Sequence, residues 1–211
     1  MNLHLYNFDA LEKELEGLSP LHRIAFAASC CQRLLLNYNA FSHQENWGNP
    51  SVLRTALDEV WQILQGKPVD AALIRRLIED CSDVIPDSDE FTSPNLIYDV
   101  EAQEAAIAIC NTLEACLDPT PEQIIKVATC VTNTIDAFVP HKDKSFNVSE
   151  SKVGLEKLQE AIGSHPVAVR EMAKQSEDLQ RLNQAEKLDR DFVEWLRTSF
   201  DNDGKSLIDL A

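Results

Sequence analysis

Two carboxylates three residues apart, Glu101 and Glu104, are the first candidates for chemistry in this sequence. On a helix this ExxE spacing places both side chains on one face, where they could hold Mg²⁺. Hydrolases of phosphorylated small molecules that are built as helical bundles use such pairs, and they need a second pair on a neighbouring helix. The nearest similar spacing, Glu186 to Asp189, lies far along the chain in a segment that is predicted to be exposed. A solvated helix surface is the alternative interpretation in a chain this acidic.

A second candidate is a polar cluster formed by Arg33, Asn37, Arg54 and Asp58. Arg33 and Asn37 are one turn apart on the polar strip of one predicted helix, and Arg54 and Asp58 share a face of the next. If these helices pack antiparallel, Arg33 can pair with Asp58 or with Glu59. A buried pair of this kind fixes the register of two helices. The same arginine beside a carboxylate could instead bind an anion, and the sequence leaves both interpretations open.

Cysteine chemistry is a third candidate, centred on the adjacent pair Cys30 and Cys31. A thiol nucleophile needs a base within hydrogen-bond reach, and His22 lies two turns away along the same predicted helix. The surrounding residues are apolar, which favours core packing of these thiols. We therefore predict that the six cysteines of the chain are mostly buried and free.

Other catalytic motifs are absent from the sequence. Its six glycines are too far apart for a phosphate-binding loop. No CxxC or HExxH zinc motif occurs, and none of the five histidines follows a glutamate at the spacing of a di-iron bundle. The sequence predicts no cofactor, with Mg²⁺ required only if Glu101 and Glu104 serve a hydrolase.

The formal net charge of −16 argues against several classes of partner. It repels phosphate backbones and anionic membranes, and the scattered basic residues form no patch that would overcome this repulsion. No apolar run approaches the roughly 18 residues of a membrane span, and no signal peptide is evident. We therefore predict a cytoplasmic protein that binds neither nucleic acid nor membrane.

Helix signals position these candidate residues, and strand signals are nearly absent. The segment from Leu21 to Gly66 is predicted to form a helical hairpin whose first helix is apolar on almost every side, as the centre of a bundle requires. Further helices are predicted from cap residues and apolar spacing, including one from about residue 121 that ends before Pro140. The sequence predicts an all-α fold, a single domain over residues 1–211 with seven to eight helices and a flexible excursion at 140–149.

The last long segment, from Pro166 to Phe200, has few apolar residues between charged blocks. Such a helix packs on the outside of a bundle or against a partner. With an exposed Trp195 and the apolar tail from Leu207 to Leu210, it offers a surface that a protein partner or a second copy could cover.

A set of residues spread over nearly the whole chain is similar to a known family. These residues are Phe26, Cys31, Arg33, Asn37, Tyr38, Phe41, Gly48, Arg54, Leu57, Trp61, Ile85, Pro86, Phe91, Tyr98, Ala102, Ala105, His165, Pro166, Arg190, Leu196, Arg197, Gly204 and Ser206. The combination resembles the bacterial YjaG-like family of domains of unknown function, least well between Lys142 and Glu150. The resemblance implies a compact all-α fold in the bacterial cytosol, and it brings no established activity, cofactor or catalytic residue.

These observations predict a cytosolic protein-interaction or regulatory module. The motifs of most enzyme classes are missing, and the final helix and tail offer a surface for a partner or a homo-oligomer. The alternative is a metal-dependent hydrolase of nucleotides or other phosphorylated small molecules that uses Glu101 and Glu104. Binding of a divalent cation at those carboxylates distinguishes the two, because only the hydrolase requires it.

Overall fold

The computed structural model describes residues 5–87, 98–142, 154–200, 204–207 and 209. Over these ranges the chain is helical and contains no strand, which confirms the all-α prediction. The described helices number nine, one more than the upper end of the predicted seven to eight. They are α1 (Phe8–Glu16), α2 (Pro20–Glu45), α3 (Pro50–Leu64), α4 (Ala71–Ser82), α5 (Asp99–Leu117), α6 (Pro121–Lys142), α7 (Leu155–Gly163), α8 (Pro166–Gln184) and α9 (Arg190–Thr198).

The additional helix arises because the segment predicted to run from residue 166 to residue 200 is broken in two. Ala185 has extended backbone angles, and the chain restarts at Asp189, whose side chain accepts a hydrogen bond from the Phe192 N–H at 2.9 Å. An aspartate at an N-cap is a good helix start, but no glycine or proline marks this break in the sequence. Asp189 therefore serves as the N-cap of α9.

Helix starts follow the predicted caps in most places. Ser19 and Asn49 each precede a proline at the first helical position, and each accepts a hydrogen bond from a backbone N–H of its helix. Asp70 does the same at α4. At the first helix the side chain of Asn7 accepts a hydrogen bond from the Ala10 N–H, which sets the start of α1 at residue 8.

The end of α6 also differs from the prediction. The helix continues through Pro140 to Lys142, whereas the sequence predicted that it ends before Pro140. A proline costs one backbone hydrogen bond to the preceding turn, and here it does so only two residues before the helix ends. The predicted excursion at 140–149 is therefore helical over 140–142, and its remainder lies outside the described residues, as does Phe91 of the residues that carry the family resemblance.

Helix α2 is the centre of the bundle, as its apolar character predicted. It packs against α3, α5, α6, α8 and α9, and its side chains contribute to one hydrophobic core. The largest fully buried side chains include Trp61, Tyr38, Phe26, Phe41 and Phe138. Within the described part of the chain, no helix combines the length and hydropathy that crossing a bilayer requires.

Candidate functional site

Arg33, on the central helix, forms a buried ion pair with α8. Its Nη2 donates to Glu171 Oε1 at 2.6 Å, and its Nε donates to Glu171 Oε2 at 2.9 Å. Its Nη1 donates to Asp178 Oδ2 at 3.2 Å, and the arginine is only 7% exposed. Such fork-shaped pairs fix the relative position of two helices as well as contributing energy. Arg33 thus ties α8 to α2.

Asp178 is the deepest charge of this cluster, with 0% of its surface exposed. It also accepts hydrogen bonds from the Ser29 hydroxyl at 2.8 Å and from Lys174 Nζ at 2.6 Å. Two cations and one hydroxyl therefore surround a single buried carboxylate. A buried charge is tolerated only with such compensation.

The surroundings of Arg33 keep it charged. Burial alone would lower the pKa of its guanidinium, but the adjacent Glu171 carboxylate, with Cys30 and Asp178, raises that pKa above its ordinary value. Burial raises the pKa of the neighbouring Cys30 thiol, so this sulfur is protonated at neutral pH. The cluster is an ion-pair network with an inert thiol beside it.

The predicted pairing of Arg33 with Asp58 or Glu59 is wrong. Asp58 instead forms ion pairs with Arg54, at 3.0 Å, and with Arg197 of α9, at 2.7 Å. Glu59 pairs with Lys67 at 2.5 Å. The reason is that the side of α2 that carries Arg33 faces α8, and not its hairpin partner α3.

The predicted polar cluster therefore divides into two groups. Arg54 and Asp58 remain together on α3, where Arg54 also donates to Gln32 of α2 at 3.1 Å. Arg33 and Asn37 lie together on another face of α2, beside α8 and the C-terminal segment. The second group lines a cavity, and we consider it the candidate functional site.

Asn37 connects this site to the C-terminal segment. Its side-chain Oδ1 accepts a hydrogen bond at 2.9 Å from the backbone N–H of Leu207. The asparagine is buried, with 3% of its surface exposed. This contact fixes which end of the amide faces the segment. The amide nitrogen donates no hydrogen bond to any described residue, and Asn37 lines the cavity.

Residues 204–207 and 209 form a compact turn over the site. The N–H and hydroxyl of Ser206 both donate to Asp209 Oδ2 at 2.9 Å, and the Asp209 N–H donates back to the Ser206 hydroxyl at 3.0 Å. The hydrogen bond from the Ser206 backbone lowers the pKa of the Asp209 carboxyl. This turn sets the position of Leu207 relative to Asn37.

The cavity has a volume of about 50 Å³ and lies among α2, α6, α8 and residues 205–207. Most of its wall is aliphatic, formed by Leu34, Val131, Ile135, Val167 and Leu207. Among the described residues, four charged side chains also line it, namely Arg33, Arg170, Lys205 and Glu171. The lining is thus mostly apolar, and it includes the ion pair between Arg33 and Glu171.

Glu101 and Glu104 lie in different environments. Glu101 is 1% exposed and neither of its carboxylate oxygens has a hydrogen-bond partner, and burial raises its pKa to about 7. Glu104 accepts a hydrogen bond from Asn133 at 2.9 Å. No group of three or more potential metal ligands occurs among the residues for which side chains are described. A metal at this pair stays a prediction.

The cysteines are free, and five of the six are buried, as predicted. Cys31 lies 3.1 Å from the Thr112 hydroxyl, and burial raises the pKa of its thiol to about 12. Such thiols pack as small apolar side chains. Cys110 differs from the others because it is only partly buried.

The contribution of α8 to this site was not predicted from the sequence. Glu171, Lys174, Gln175 and Asp178 follow one another at spacings that place them on one helix face, and the last three are buried. A helix that buries polar side chains has few apolar residues, so its sequence resembles that of a helix on the surface of a bundle. The one signal in the sequence was the spacing of these charged residues on one face of α8, since Arg33 and Ser29 are likewise spaced on one face of α2 and could pair with them.

Trp195 is more covered than the sequence predicted. Lys174 Nζ lies 4.2 Å from the centre of its ring and the Arg181 guanidinium 3.9 Å away, so two cations of α8 cover it. Phe192 stacks beside it, with ring centres 5.8 Å apart. The residue therefore ties α9 to α8, and an interaction surface at this helix stays a prediction.

Comparisons with known proteins agree with this fold. The sequence model of a family described as a protein of unknown function, DUF416, matches residues 10–211. The uncharacterized protein YjaG of Escherichia coli K12 is 25% identical over 196 residues, which cover 92% of each chain, and YjaG of Salmonella typhimurium gives the same values. A crystal structure of a DUF416 family protein from Shewanella baltica OS155 superposes with a TM-score of 0.79 at 25% identity, over 93% of this chain and 96% of that one.

Proposed function

We propose that this chain, which belongs to the DUF416 family, is a regulatory module that binds a small ligand in the cavity beside Arg33. The ligand would contact Asn37, and the position of residues 204–207 would report whether the cavity is occupied. A partner or a second copy of the chain would then recognise the C-terminal segment in one of its two states. In this proposal the ligand in the cavity controls whether a partner binds the predicted interaction module.

The dual role of Asn37 carries the proposal. One end of its amide accepts the Leu207 N–H, and the residue also lines the cavity. A ligand that binds the other end would fix the amide and so stabilise the contact with the segment. Coupling between two sites requires such a shared element, whose state both sites influence.

The Arg33 cluster supports the proposal by holding the cavity wall in place. Glu171 and Arg33 both line the cavity, and Glu171 is held by Arg33 and also by Gln175 at 3.0 Å. A site whose side chains are already fixed loses less conformational entropy when a ligand binds. The buried pairs thus favour a preformed pocket.

Thermal melts of the full chain against a library of organic acids, amines, amides, sugars and phosphates test the proposal. A compound that binds only the native state at about a hundred times its dissociation constant adds about 2.7 kcal/mol of stability. The key comparison is Val167→Phe, which places a ring in the cavity wall. Val169→Phe is the matched control, because Val169 lies on the same helix and is 53% exposed.

The expected result is a compound that stabilises the wild-type protein and Val169→Phe, but not Val167→Phe. Equal stabilisation of all three proteins would place the binding elsewhere and contradict the proposal. A library without any stabilising compound would contradict it as well. The metal-dependent hydrolase stays a separate prediction, which calorimetry with Mg²⁺ tests at Glu101 and Glu104.

A further inference from the structure

We propose that Cys81 and Cys110 form a reversible disulfide bond when the protein meets a small hydroperoxide such as hydrogen peroxide. Cys81 lies near the end of α4, and Cys110 lies in α5, which packs against α4. The juxtaposition of these two thiols carries the inference, because their side chains are hydrogen-bonded to each other. The inference does not depend on the ligand proposed for the cavity.

Contact between two thiols on different helices is the first requirement for a disulfide. The bond is about 2 Å long, and it forms without strain only where the two sulfur atoms meet with little movement of the backbone. Cys31 also lies near Cys110, but its sulfur is engaged with the Thr112 hydroxyl at 3.1 Å. Cys81 is therefore the thiol that is placed to pair with Cys110.

Cys110 is the thiol of this pair that a peroxide in solution can reach. It is partly exposed, whereas Cys81 has none of its surface exposed. Its hydrogen bond with Cys81 lowers its pKa, and although burial opposes this effect, a further hydrogen bond with Ser82 helps to keep the pKa below its ordinary value. The thiolate is the form that attacks peroxides, so Cys110 reacts first.

In the first step the Cys110 thiolate attacks one oxygen atom of hydrogen peroxide. A bond forms between sulfur and oxygen as the bond between the two oxygens breaks, so the sulfur is oxidised by two electrons and the peroxide is reduced. The hydroxide that leaves takes up the proton that the Cys110 thiol had released, which gives water. Cys110 is then an uncharged sulfenic acid.

Cys81 completes the disulfide in the second step. Its pKa is raised above the ordinary value, chiefly by its hydrogen bond with Cys110 and then by burial. Conversion of the Cys110 thiolate to a sulfenic acid removes the charge behind the first effect, so Cys81 loses its proton more readily. The Cys81 sulfur then attacks the Cys110 sulfur, and a bond between the two sulfurs replaces the bond to oxygen. The departing hydroxide combines with the Cys81 proton as a second water.

Peptide mapping of the native full chain after treatment with hydrogen peroxide tests the proposal. An alkylating agent stops the reaction, and the digested protein is analysed by mass spectrometry without reduction. We expect a linked pair of peptides that contain Cys81 and Cys110, and dithiothreitol should separate them. Cys110→Ser should slow the loss of free thiols at least about tenfold, because the other five thiols are buried.

Cys81→Ala and Cys116→Ala are matched variants, because both cysteines are buried and lie on the same two helices. In Cys81→Ala the sulfenic acid at Cys110 has no neighbour to react with, so it should be oxidised further to a sulfinic acid. In Cys116→Ala the linked peptides should form as they do in the wild-type protein. Circular dichroism checks the fold of each variant, and Cys110→Ser at its partly exposed position provides the test if Cys81→Ala does not fold.

Three results would overturn the proposal. The first is oxidation of Cys110 to a sulfinic acid in the wild-type protein while Cys81 stays free. The second is a disulfide that joins any other two cysteines in preference to this pair. The third is a native protein that keeps all its thiols free under a treatment that oxidises glutathione. None of these results bears on the proposed function, which the Val167→Phe variant tests separately.

Discussion

Asp178 and Arg33, which are separated by 145 positions in the sequence, are joined at 3.2 Å inside the bundle. Because Asp178 is completely buried and also holds Lys174 at 2.6 Å, its removal would leave two buried cations without their common partner. Breaking such a pair costs about 3–5 kcal/mol. We expect Asp178→Ala to lower the free energy of unfolding by about this amount, measured by urea denaturation.

Glu177→Ala is the control for this prediction. Glu177 also contacts Lys174, at 3.2 Å, but its side chain is 45% exposed. Exposed pairs contribute about 0–1 kcal/mol. Similar losses from Asp178→Ala and Glu177→Ala would show that the buried cluster does not hold α8 on α2.

The contact between Gly48 and Tyr38 predicts a site where one methyl group is destabilising. Gly48 has φ +79°, and a Cβ atom there would lie 2.4 Å from the Tyr38 hydroxyl oxygen. That hydroxyl donates to the Val84 carbonyl at 2.7 Å. We expect Gly48→Ala to cost about 2 kcal/mol or more, because it combines backbone strain with loss of this hydrogen bond.

Gly66→Ala separates these two causes. Gly66 has φ +100° but nothing within 4 Å of an added Cβ, so only backbone strain of about 1 kcal/mol is expected. Thermal or urea denaturation of both variants makes the comparison. An equal cost at the two positions would contradict a steric role for Tyr38.

The raised pKa of Glu101 predicts a pH dependence of stability. Burial raises this pKa from 4.5 to about 7, so the folded chain binds the proton more tightly than the unfolded chain. The free energy of unfolding should therefore fall as the pH rises between these values and reach its lower limit above them, with a loss of at most about 3 kcal/mol. Glu101→Gln should remove this component and stabilise the protein at high pH.

Urea denaturation at a series of pH values checks this expectation. Glu104→Gln is the control, since its carboxylate is already hydrogen-bonded to Asn133 and the substitution should leave the pH dependence in place. A Glu101→Gln variant with the same pH dependence as the wild-type protein would show that Glu101 titrates in its ordinary range.

The cysteines should differ sharply in their reactivity. Burial raises the pKa of the Cys31 and Cys116 thiols to about 12, whereas hydrogen bonds, chiefly from Cys81, lower that of the partly buried Cys110. Thiolates react and thiols do not. Mass spectrometry after brief alkylation of the native protein should find Cys110 modified first. Equal labelling of the buried thiols would mean that the bundle opens readily.

The sequence was sufficient to predict the central helix and most caps, because both depend on local patterns. The apolar residues from Ile24 to Phe41 could only belong to a buried helix, and Ser19-Pro20 and Asn49-Pro50 mark helix starts directly. The break before Asp189 was missed because a single cap residue within a polar segment is a weak signal.

The site was harder to predict, since it depends on contacts between distant segments. Arg33 and Asn37 were identified, but the choice of partner for Arg33 depends on which helix packs against that side of α2. Asp58 was close in sequence and Asp178 was not. The role of Leu207 could not be predicted at all, because its contact with Asn37 uses a backbone N–H.

The most direct test is the hydrogen-exchange rate of the Leu207 amide, measured by NMR with and without a library compound that stabilises the native protein in a Val167-dependent manner. Such a compound should slow this exchange in the wild-type protein, because a ligand on Asn37 stabilises the hydrogen bond from Leu207. Exchange should be fast in Asn37→Ala with or without the compound. An unchanged rate at Leu207 in wild-type protein that binds the compound would contradict the coupling between the cavity and the C-terminal segment.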